Sequence, residues 1–530
     1  DGGVIYSHGE DTNVLTGSND IYFNASAESD GRGTQSSPYK YLQYNRLTSG
    51  CTAHFADGTY ELDSKKGIYS SMTFMGQSAQ NTIIKFNGIA FNVGDGYTLT
   101  LKDLTLDHAT VKNLGTVSAT NVIFKNGVAV DDTSYGYDNA YGGAIYNYVS
   151  TDYYGYGTNV PKNTLYNCTF LNNSAMYGGA IYLPYGELSL SNCKFINNSA
   201  HWFGGAIASD KDSKISVVGT VFENCRSVDD AGGAIYAQAV GGQILIDNCS
   251  FISNSVSKNF AGGAIYALQL IDGIKITNSR FVNNSANSPE DYGGGAICFI
   301  GGNTERMGKL DISDSVFENN KDDVAGAIYI RGSTLDISYS ALVNNGDIAI
   351  YKGISNYVTA RITADNNWWG TNDDPSAFVN GEIVSKWIVM TFTNDTPLAQ
   401  GNNVLLTVAL DTLNDWSKLD KILVFARPVT IITPTETFNN QYNVEYTIPE
   451  KVTVILATVD NQSIYLYSDK TDTTLGINDT TVNLGRDINL TALIKDTIGN
   501  NIPMGSVEFY INDKLVGSSD VKNGIATLVL

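Results

Sequence analysis

The pentapeptide GGAIY at residues 178–182 decides the fold, because variants of it recur along the middle of this 530-residue chain. The same letters stand at 142–146, 232–236 and 262–266, and variants read GGAIA at 204–208, GGAIC at 294–298 and AGAIY at 325–329, with a degraded IAIY at 348–351. Successive isoleucines of these eight copies are 36, 26, 28, 30, 32, 31 and 22 residues apart. Such a period is typical of a solenoid, in which each repeat forms one structural coil.

A second phrase follows each copy of the first. It reads NCTF at 167–170, NCKF at 192–195, NCSF at 248–251 and NSRF at 278–281, and asparagine pairs such as Asn172 and Asn173 come soon after it. Alternating stretches such as LSL at 188–190 lie just upstream. Alternation indicates strands, whereas Asn and Gly indicate turns because they tolerate positive φ. The sequence therefore predicts an all-β, right-handed parallel β-helix of the pectate-lyase-like kind, with three short strands and three turns per coil.

Equivalent side chains of successive coils are expected to stack about 4.8 Å apart. The predicted interior aliphatic column contains Ile145, Ile181, Ile207, Ile235, Ile265, Ile297 and Ile328, and the aromatic one Phe170, Phe195, Phe222, Phe251, Phe281 and Phe317. The tyrosines that follow the isoleucines have the opposite parity and are expected to face outwards: Tyr146, Tyr182, Tyr236, Tyr266 and Tyr329. Ordinary strand stacking is the favoured interpretation of this column, and a ligand platform is the alternative.

Composition limits the classes of partner. The formal net charge of −21 argues against nucleic acid and against an anionic membrane surface, since both require a basic protein surface. The 32 tyrosines, together with many Gly, Asn and Ser residues, are typical of extracellular recognition proteins. No signal peptide or membrane span is visible, and the chain starts at Asp1, so we expect a mature fragment of a longer protein.

The six cysteines suggest buried thiols more than disulfides or metal ligands. Cys168, Cys193 and Cys249 occupy one position of the repeat, where Ser279 and Ser315 replace them in other coils. The chain contains no CxxC pair or histidine cluster. Interchange with serine indicates a small buried residue, so free thiols are the favoured interpretation.

Four regions are predicted along the chain. Residues 1–18 read as a flexible leader, 19–385 as the β-helix with an N-terminal cap, 386–470 as an Ig-like β-sandwich and 471–530 as a second, truncated one. The run NNWWGTNDDP at 366–375 is expected to close the helix, with Trp368 continuing the phenylalanine column. Strands of the first sandwich are expected at 404–408, 422–425 and 452–456.

One coil is longer than the others. Phe124 and Phe170 are 46 residues apart, against 25 from Phe170 to Phe195, and the extra residues are rich in tyrosine and aspartate. Long loops on a rigid scaffold commonly carry function, and tyrosine with aspartate suits sugar binding. The candidate ligand-binding residues are Tyr135, Tyr137, Asp138, Tyr148, Tyr153, Tyr154 and Tyr156. The alternative is a loop that merely covers a coil edge.

Acidic residues precede several copies of the first phrase. Asp229, Asp230, Asp291, Asp322 and Asp323 are the candidate metal ligands, because carboxylates on neighbouring coils suit Ca²⁺. A solvated acidic face is the alternative. Paired carboxylates would also suit a lyase or glycosidase, but the GGAI strands carry no Lys or Arg. The histidines, His8, His54, His108 and His201, are scattered, so no catalytic residue is predicted.

These phrases together resemble a known family. The GGAIY and NCxFxNN pair, the NNWWGTNDDP run and the opening phrases DGTY at 57–60 and NTII at 81–84 resemble the adhesin-like surface proteins of methanogenic archaea. The pairing is also similar to that of bacterial polymorphic outer-membrane autotransporters. Residues 474–530 look like a bacterial Ig-like repeat, and residues 386–468 resemble invasin-type Ig modules.

The resemblance implies a β-helix displayed on an Ig-like stalk at the cell surface, binding a ligand of another cell without catalysis. That ligand is a protein or a glycan, no cofactor is required, and Ca²⁺ is an open addition. Nucleic acid and direct membrane insertion are not expected. The alternative is a carbohydrate-active enzyme, a polysaccharide lyase or glycosidase, because β-helices also host such sites.

Overall fold

A computed structural model describes residues 19–129, 140–148, 160–210, 213–238, 243–258, 260–270, 272–288, 292–302, 308–356, 358–449, 454–467, 473–477, 489–496, 501, 506–511 and 514–529. The chain divides into two compact units, one of Asp1–Asp365 with Ser376–Val384 and one of Asn366–Pro375 with Ser385–Leu530. Short 3₁₀ turns occur at Tyr44–Arg46 and Pro375–Phe378. Within these described ranges no helix is long and apolar enough to cross a membrane.

The first unit is a right-handed parallel β-helix, as the repeat predicts. Sheet 1 contains thirteen parallel strands, one from each coil. They are Asp20–Phe23, Thr52–Phe55, Met72–Gly76, Thr98–Lys102, Thr116–Thr120, Lys162–Tyr166, Glu187–Ser191, Lys214–Val218, Ile244–Asp247, Ile274–Thr277, Lys309–Ser313, Thr334–Ser338 and Arg361–Thr363. Alternate residues of these strands, such as Leu188 and Leu190, point into the core and are buried. This is the period-two pattern of a sheet with one buried face.

Sheet 2 carries the phenylalanine column and sheet 3 the isoleucine column. Sheet 2 contains Gly58–Glu61, Ile123–Lys125, Thr169–Leu171, Lys194–Ile196, Val221–Glu223, Ser250–Ile252, Arg280–Val282, Val316–Glu318 and Ala341–Val343. Sheet 3 contains Lys66–Ile68, Ile145–Asn147, Ile181–Leu183, Ile207–Asp210, Ile235–Gln238, Ile265–Leu268, Ile297–Ile300, Ile328–Arg331 and Ile350–Gly353. The long strands Thr82–Val93 and Thr105–Asn113 belong to both sheets, which separate in the later coils.

A minor sheet 4 joins sheets 2 and 3 in four middle coils. Its strands are Ser174–Tyr177, Ser199–Phe203, Arg226–Ser227 and Ser255–Val256. The first two lead directly into a Gly-Gly turn of the repeat, and the other two end a few residues before one. The segment before each Gly-Gly pair therefore lies beside sheet 3.

Both predicted interior columns are confirmed. Isoleucines pair in register from Ile145 to Ile350, and phenylalanines from Phe124 to Phe317, with Leu342 next. Consecutive phenylalanine rings are parallel, as in the pair Phe170 and Phe195, whose centroids are 4.5 Å apart at an interplanar angle of 3°. These rings are fully buried. Burial of a phenylalanine contributes about 1.5–3 kcal/mol, so the columns are the main source of stability.

The two glycines of each phrase have different roles. Gly232 has φ +72°, which favours glycine because it has no Cβ. A Cβ on Gly233 would lie 2.0 Å from the carbonyl oxygen of Gly263 in the next coil. One glycine thus permits the turn and the other permits close stacking of coils.

The second asparagine of each Asn pair forms a buried ladder that the sequence did not reveal. Asn284 Nδ2 donates to the carbonyl of Phe251 and to Asn320 Oδ1, both at 2.9 Å, and its Oδ1 accepts from the Asn254 backbone N–H at 3.0 Å. The same bonds join Asn173 to Asn198 and Asn320 to Asn345. Cys225 occupies the position between Asn198 and Asn254. The first asparagine of each pair has positive φ, as predicted for a turn.

The second unit consists of antiparallel sheets. Ile388–Asn394, Asn403–Leu413 and Asn443–Thr447 form one, and Val429–Ile432, Thr437–Asn439, Val454–Val459 and Gln462–Tyr467 form another. Thr473–Ile477, Asn489–Asp496 and Ile525–Val529 form a third, beside the pair Ser506–Ile511 and Lys514–Asp520. The predicted strand at 422–425 was wrong: no strand forms there, and Ile422 is 89% exposed.

Trp368 belongs to the second unit and not to the phenylalanine column, contrary to the prediction. It is fully buried, and its Nε1 donates to Asp460 Oδ2 at 2.7 Å. Asp460 also binds the buried guanidinium of Arg427 through both of its oxygens. An indole N–H inside a protein needs an acceptor, and the Asp460 carboxylate supplies it. The run at 366–375 is thus anchored by a polar contact that spacing alone does not show.

Candidate functional site

The insertion of the long coil is described only at its edges. Tyr135, Tyr137, Asp138, Tyr153, Tyr154 and Tyr156 lie outside the described residues, so their predicted role stays a prediction. Tyr148, at the end of the strand Ile145–Asn147, is the described candidate. The Lys112 ammonium lies 4.2 Å from the centroid of its ring and 5.7 Å from that of Tyr146. Such a cation–π contact holds the tyrosine ring in a defined position.

Tyr148 is one end of an aromatic cluster on the outer side of sheet 3. We call this cluster the tyrosine face; it consists of Tyr141, Tyr146, Tyr148, Tyr177, Tyr182 and Phe203. The Tyr141 ring stacks on Tyr182 at 4.6 Å, on Tyr177 at 5.2 Å and on Tyr146 at 5.3 Å. Phe203 continues the cluster from Tyr177, at 5.8 Å, to Tyr236, at 4.3 Å.

The outward tyrosines of the repeat are buried, contrary to the expectation of an exposed column. Tyr236, Tyr266 and Tyr329 are 5%, 4% and 2% exposed. They do point away from the helix interior, but Ala231 and Ala261, which precede Gly-Gly turns, and Ala325, which replaces the first glycine of its phrase, pack against them with neighbouring aromatic residues. The segment leading into each turn therefore covers the outer side of sheet 3 in the later coils. In the earlier coils Tyr146 is also buried, whereas Tyr177 and Tyr182 stay half-buried.

Sequence reasoning missed Tyr141, Tyr177 and Phe203. The available signal was the residue before each Gly-Gly pair, which is aromatic in three consecutive coils, at 141, 177 and 203, and alanine in the next two, at 231 and 261. An aromatic residue at this position stacks beside the outer side of sheet 3. An alanine at this position is small, so the segment that carries it packs over the outer side of sheet 3 and covers it. The face is therefore confined to the coils next to the insertion.

A charged group fixes the edge of the tyrosine face. The Tyr182 hydroxyl donates to Asp210 Oδ2 at 2.8 Å. Burial, together with the Asp210 charge, raises the pKa of Tyr182 far above its usual range, so the hydroxyl stays a neutral donor. The face presents aromatic rings with an ammonium at one side and a carboxylate at the other. This combination suits a ligand with apolar faces and hydroxyl groups, as a pyranose has.

The acidic turns do not come together as one site in the described part of the chain. Asp291 lies outside it, and Asp229 and Asp322 are three coils apart, about 14 Å at the usual strand spacing. Asp322 accepts backbone N–H groups of Ser288, Val324 and Ala325, which is a structural role. Asp323 is exposed beside it. Among the described residues no group of three His, Cys, Asp or Glu side chains is placed to hold a metal ion.

Asp229 and Asp230 are adjacent but differ in environment. Lys258 Nζ lies 2.6 Å from Asp229 Oδ1 and His201 Nε2 lies 3.1 Å from Oδ2, and the hydrogen bond with Lys258 lowers the pKa of Asp229. Burial raises the pKa of Asp230 to about 6, with the Asp229 charge adding to the shift. Two carboxyl groups with separated pKa values are a feature of acid–base sites and also of structural ion pairs.

The prediction of free buried thiols is confirmed: all six cysteines are free and buried. Cys168, Cys193 and Cys249 occupy one column, and the Ser279 hydroxyl takes the same place and accepts the Cys249 backbone N–H at 3.1 Å. Burial raises the pKa of Cys249 to about 11. These thiols are structural.

Comparison with known proteins finds one family repeat and several solved structures that are similar to this chain. Residues 167–184 and 192–210 match the repeat of the Chlamydia polymorphic membrane protein. No curated protein sequence matches the chain. Among solved structures, the catalytic unit of an α-1,3-glucanase from Streptomyces thermodiastaticus is similar at 12% identity and a TM-score of 0.37, over 64% of this chain and 71% of the other.

A Pseudomonas phage phi297 tailspike is similar at 10% identity and a TM-score of 0.32, over 79% of this chain and 87% of that one. A PL6 family alginate lyase matches at 12% identity and a TM-score of 0.28, over 61% of this chain and 41% of the lyase. The likeness is one of fold. The chain is a parallel β-helix repeat protein, and its function has to be argued from its own residues.

Proposed function

We propose that this protein is a non-catalytic, extracellular adhesin whose tyrosine face binds a ligand, a glycan in the first instance, on the surface of another cell. The observation that carries the proposal is the cluster of half-buried rings at Tyr141, Tyr177 and Tyr182, which lies beside the long insertion and has Lys112 and Asp210 at its edges. Aromatic side chains offer large contact areas at low entropic cost.

The remaining parts of the chain fit this role. The matched repeat is that of a polymorphic membrane protein, and the antiparallel second unit suits an Ig-like stalk. The net charge of −21 disfavours nucleic acid as the partner. Residence at the cell surface and likeness to the adhesins of methanogenic archaea are parts of the proposal. The adhesin needs no cofactor; Ca²⁺ at the acidic turns is a separate prediction, and a thermal midpoint that chelator leaves unchanged would contradict it.

The test is binding of the purified chain to a glycan array and to whole microbial cells. Tyr177→Ala is expected to lower binding at least tenfold, as is deletion of residues 148–156, because both remove part of the face or its insertion. Tyr166→Ala is the matched control, since Tyr166 is 51% exposed on sheet 1, away from the face. Equal loss with both tyrosine variants, or binding to no cell or glycan, would refute the proposal.

A carbohydrate-active enzyme is the second candidate, and one observation favours it. Asp230 has a pKa raised to about 6, and the neighbouring Asp229 has a lowered pKa. A general acid and an ionised carboxylate partner differ in pKa in the same way. An enzyme would release reducing ends or unsaturated products from a polysaccharide, and Asp230→Asn would abolish that release. Absence of product from α-glucans, pectin and alginate would remove this candidate.

A further inference from the structure

A second ligand site lies on the outer side of the first coils. Its His108 belongs to the same strand, Thr105–Asn113, as the Lys112 that contacts the tyrosine face. A cleft of about 520 Å³ opens there, lined by Glu61, Leu62, Lys85, Phe86, Asn87, Asp107 and His108. Glu61, Lys85 and Asp107 are register partners on three successive strands. The cleft is therefore assembled from consecutive coils and shares no residue with the tyrosine face.

His108 stands where the other coils have a small turn-forming residue. Its φ is +57°, and the residues at the same position in later coils are Asn126, Asn172, Asn197, Asn224, Ser253, Asn283, Asn319 and Asn344, all with φ near this value. Asparagine is the favoured residue in this left-handed conformation. The imidazole is thus not required by the turn, and it departs from the residue type of the later coils. In the two earlier coils Leu62 and Phe86 stand at this position.

The imidazole is held in one orientation by a buried carboxylate. His108 Nδ1 lies 2.8 Å from Asp107 Oδ1, and the Asp107 side chain is only 9% exposed. Because an ionised carboxylate only accepts hydrogen bonds, Nδ1 carries the donated proton and Nε2 is left for another partner. Asn126 Nδ2 also donates to Asp107 Oδ1 at 2.8 Å, and Lys125 Nζ lies 3.7 Å from Oδ2. Asp107 is therefore a positioning group and not a ligand contact.

The rest of the lining contains one group of each charge and an apolar wall. Lys85 and Glu61 are exposed neighbours on adjacent strands, and among the described residues neither has an ion-pair partner within 4.0 Å. Phe86 and Leu62 supply apolar surface. A donor, a carboxylate acceptor, an oriented imidazole nitrogen and an aromatic ring match the hydroxyl groups and the apolar face of a sugar.

We propose that this cleft binds a neutral pyranose, with hydroxyl groups on His108 Nε2, Glu61 and Lys85 and the sugar ring against Phe86. Charged sugars fit less well: the cleft offers one ammonium and one free carboxylate, and a net charge of −21 repels anions at long range. The site is independent of the tyrosine face and does not rest on the adhesin proposal.

The experiment is saturation-transfer NMR of the full chain with the methyl α-pyranosides of glucose, galactose and mannose, and with glucuronic acid. At least one neutral glycoside is expected to bind. His108→Asn is expected to lower its affinity at least tenfold while keeping or raising the thermal midpoint, since asparagine holds this left-handed position in most later coils. Lys85→Ala should weaken the same sugar, and Lys194→Ala, an exposed lysine of the same sheet, should not.

Three outcomes would overturn the proposal: no binding of any neutral glycoside, tighter binding of glucuronic acid than of all three, or unchanged affinity in His108→Asn. Tyr177→Ala separates the two sites. It should leave binding at this cleft intact, whereas His108→Asn should leave attachment through the tyrosine face intact. If only sugar binding at the cleft is absent, the cleft proposal has failed. If only attachment through the tyrosine face is absent, the adhesin proposal has failed.

Discussion

The two sides of sheet 3 are built from the same strands but follow different rules. On the inner side, isoleucine fills the first position of every strand from Ile145 to Ile350, whereas the second inward position varies. On the outer side the register reads Tyr146, Tyr182, Ala208, Tyr236, Tyr266, Cys298, Tyr329 and Tyr351. At the isoleucine position every coil meets the same neighbours, so one residue type fits all coils. Outside, each coil meets a different covering segment, and the variation shows where the surface opens.

Breaking an inner column should have the largest effect on stability. Phe222 lies between two parallel rings at 4.9 and 4.8 Å and is fully buried. Phe222→Ala is expected to lower the free energy of unfolding by about 3–5 kcal/mol, through lost burial and the cavity left behind. Urea denaturation followed by circular dichroism measures it. The control Tyr166→Ala, on the exposed side of sheet 1, should change the free energy of unfolding by no more than about 0.5 kcal/mol. Similar losses in both variants would contradict the difference between inner and outer positions.

The asparagine ladder should come next. Asn284→Ala removes the acceptor of the buried Asn254 N–H and the donor to the Phe251 carbonyl. A buried polar group left without a partner costs about 1–3 kcal/mol, so we expect a loss of about 2–3 kcal/mol in the same denaturation experiment. Lys275→Ala, an exposed change on sheet 1, is the control. A loss no larger than that of the control would show that the ladder is incidental.

The gap in this ladder allows the opposite test. Cys225→Asn would place a side-chain amide where the neighbouring coils have one, beside Asn198 and the Phe195 carbonyl that the thiol now contacts at 3.5 Å. We expect a gain of about 1 kcal/mol, the net value of an added hydrogen bond. A rise in the thermal midpoint is the readout. A fall would mean that the thiol fits this coil better than the repeat predicts.

The smallest expected effect is one of pH. The pKa of Asp230 is raised to about 6 from an ordinary 3.8, mainly by burial, so its protonated form is favoured in the folded state. The stability that this group contributes is full below about pH 4 and is lost as pH rises through about 6. Because the side chain is only partly buried, solvent screening reduces the contribution to under about 1 kcal/mol.

The measurement is the thermal midpoint of the wild type and of Asp230→Asn between pH 4 and pH 7.5. Other carboxyl groups, such as Asp411, have lowered pKa values and act in the opposite direction, so only the difference between the two proteins is informative. The variant should lack the decline between pH 4 and pH 6. Parallel profiles would contradict the burial of Asp230.

Most of the β-helix could be predicted because stacking repeats one environment many times. The GGAI and NCxF phrases place the isoleucine and phenylalanine columns, and even the degraded copy at Ile350 pairs in register. Where repetition ends, prediction weakens. Trp368 looked like the next member of a column by its spacing, but its partner is Asp460, 92 residues away. The run at 422–425 has high strand propensity and no strand, since propensity yields to tertiary context.

The candidate site was less predictable than the fold. Tyr148 was identified from the insertion, but Tyr141 and Tyr177 were not, because their role depends on which segment lies over sheet 3 in each coil. Asp107 and His108 are neighbours in sequence and read as an ordinary pair. Only the left-handed turn at His108 and the burial of Asp107 show that one orients the other.

The sequence by itself determined the architecture, since period and parity assign the isoleucines and phenylalanines of the repeat to their interior columns. Only the tertiary structure decided which outward residues are covered, which asparagines are buried and which polar side chains share a cleft. The physical reason is that interior columns depend on contacts between equivalent residues of successive coils. The sequence repeat identifies those equivalent residues directly. The outer surface depends on contacts between residues that are not equivalent, and those are fixed only when the coils are stacked.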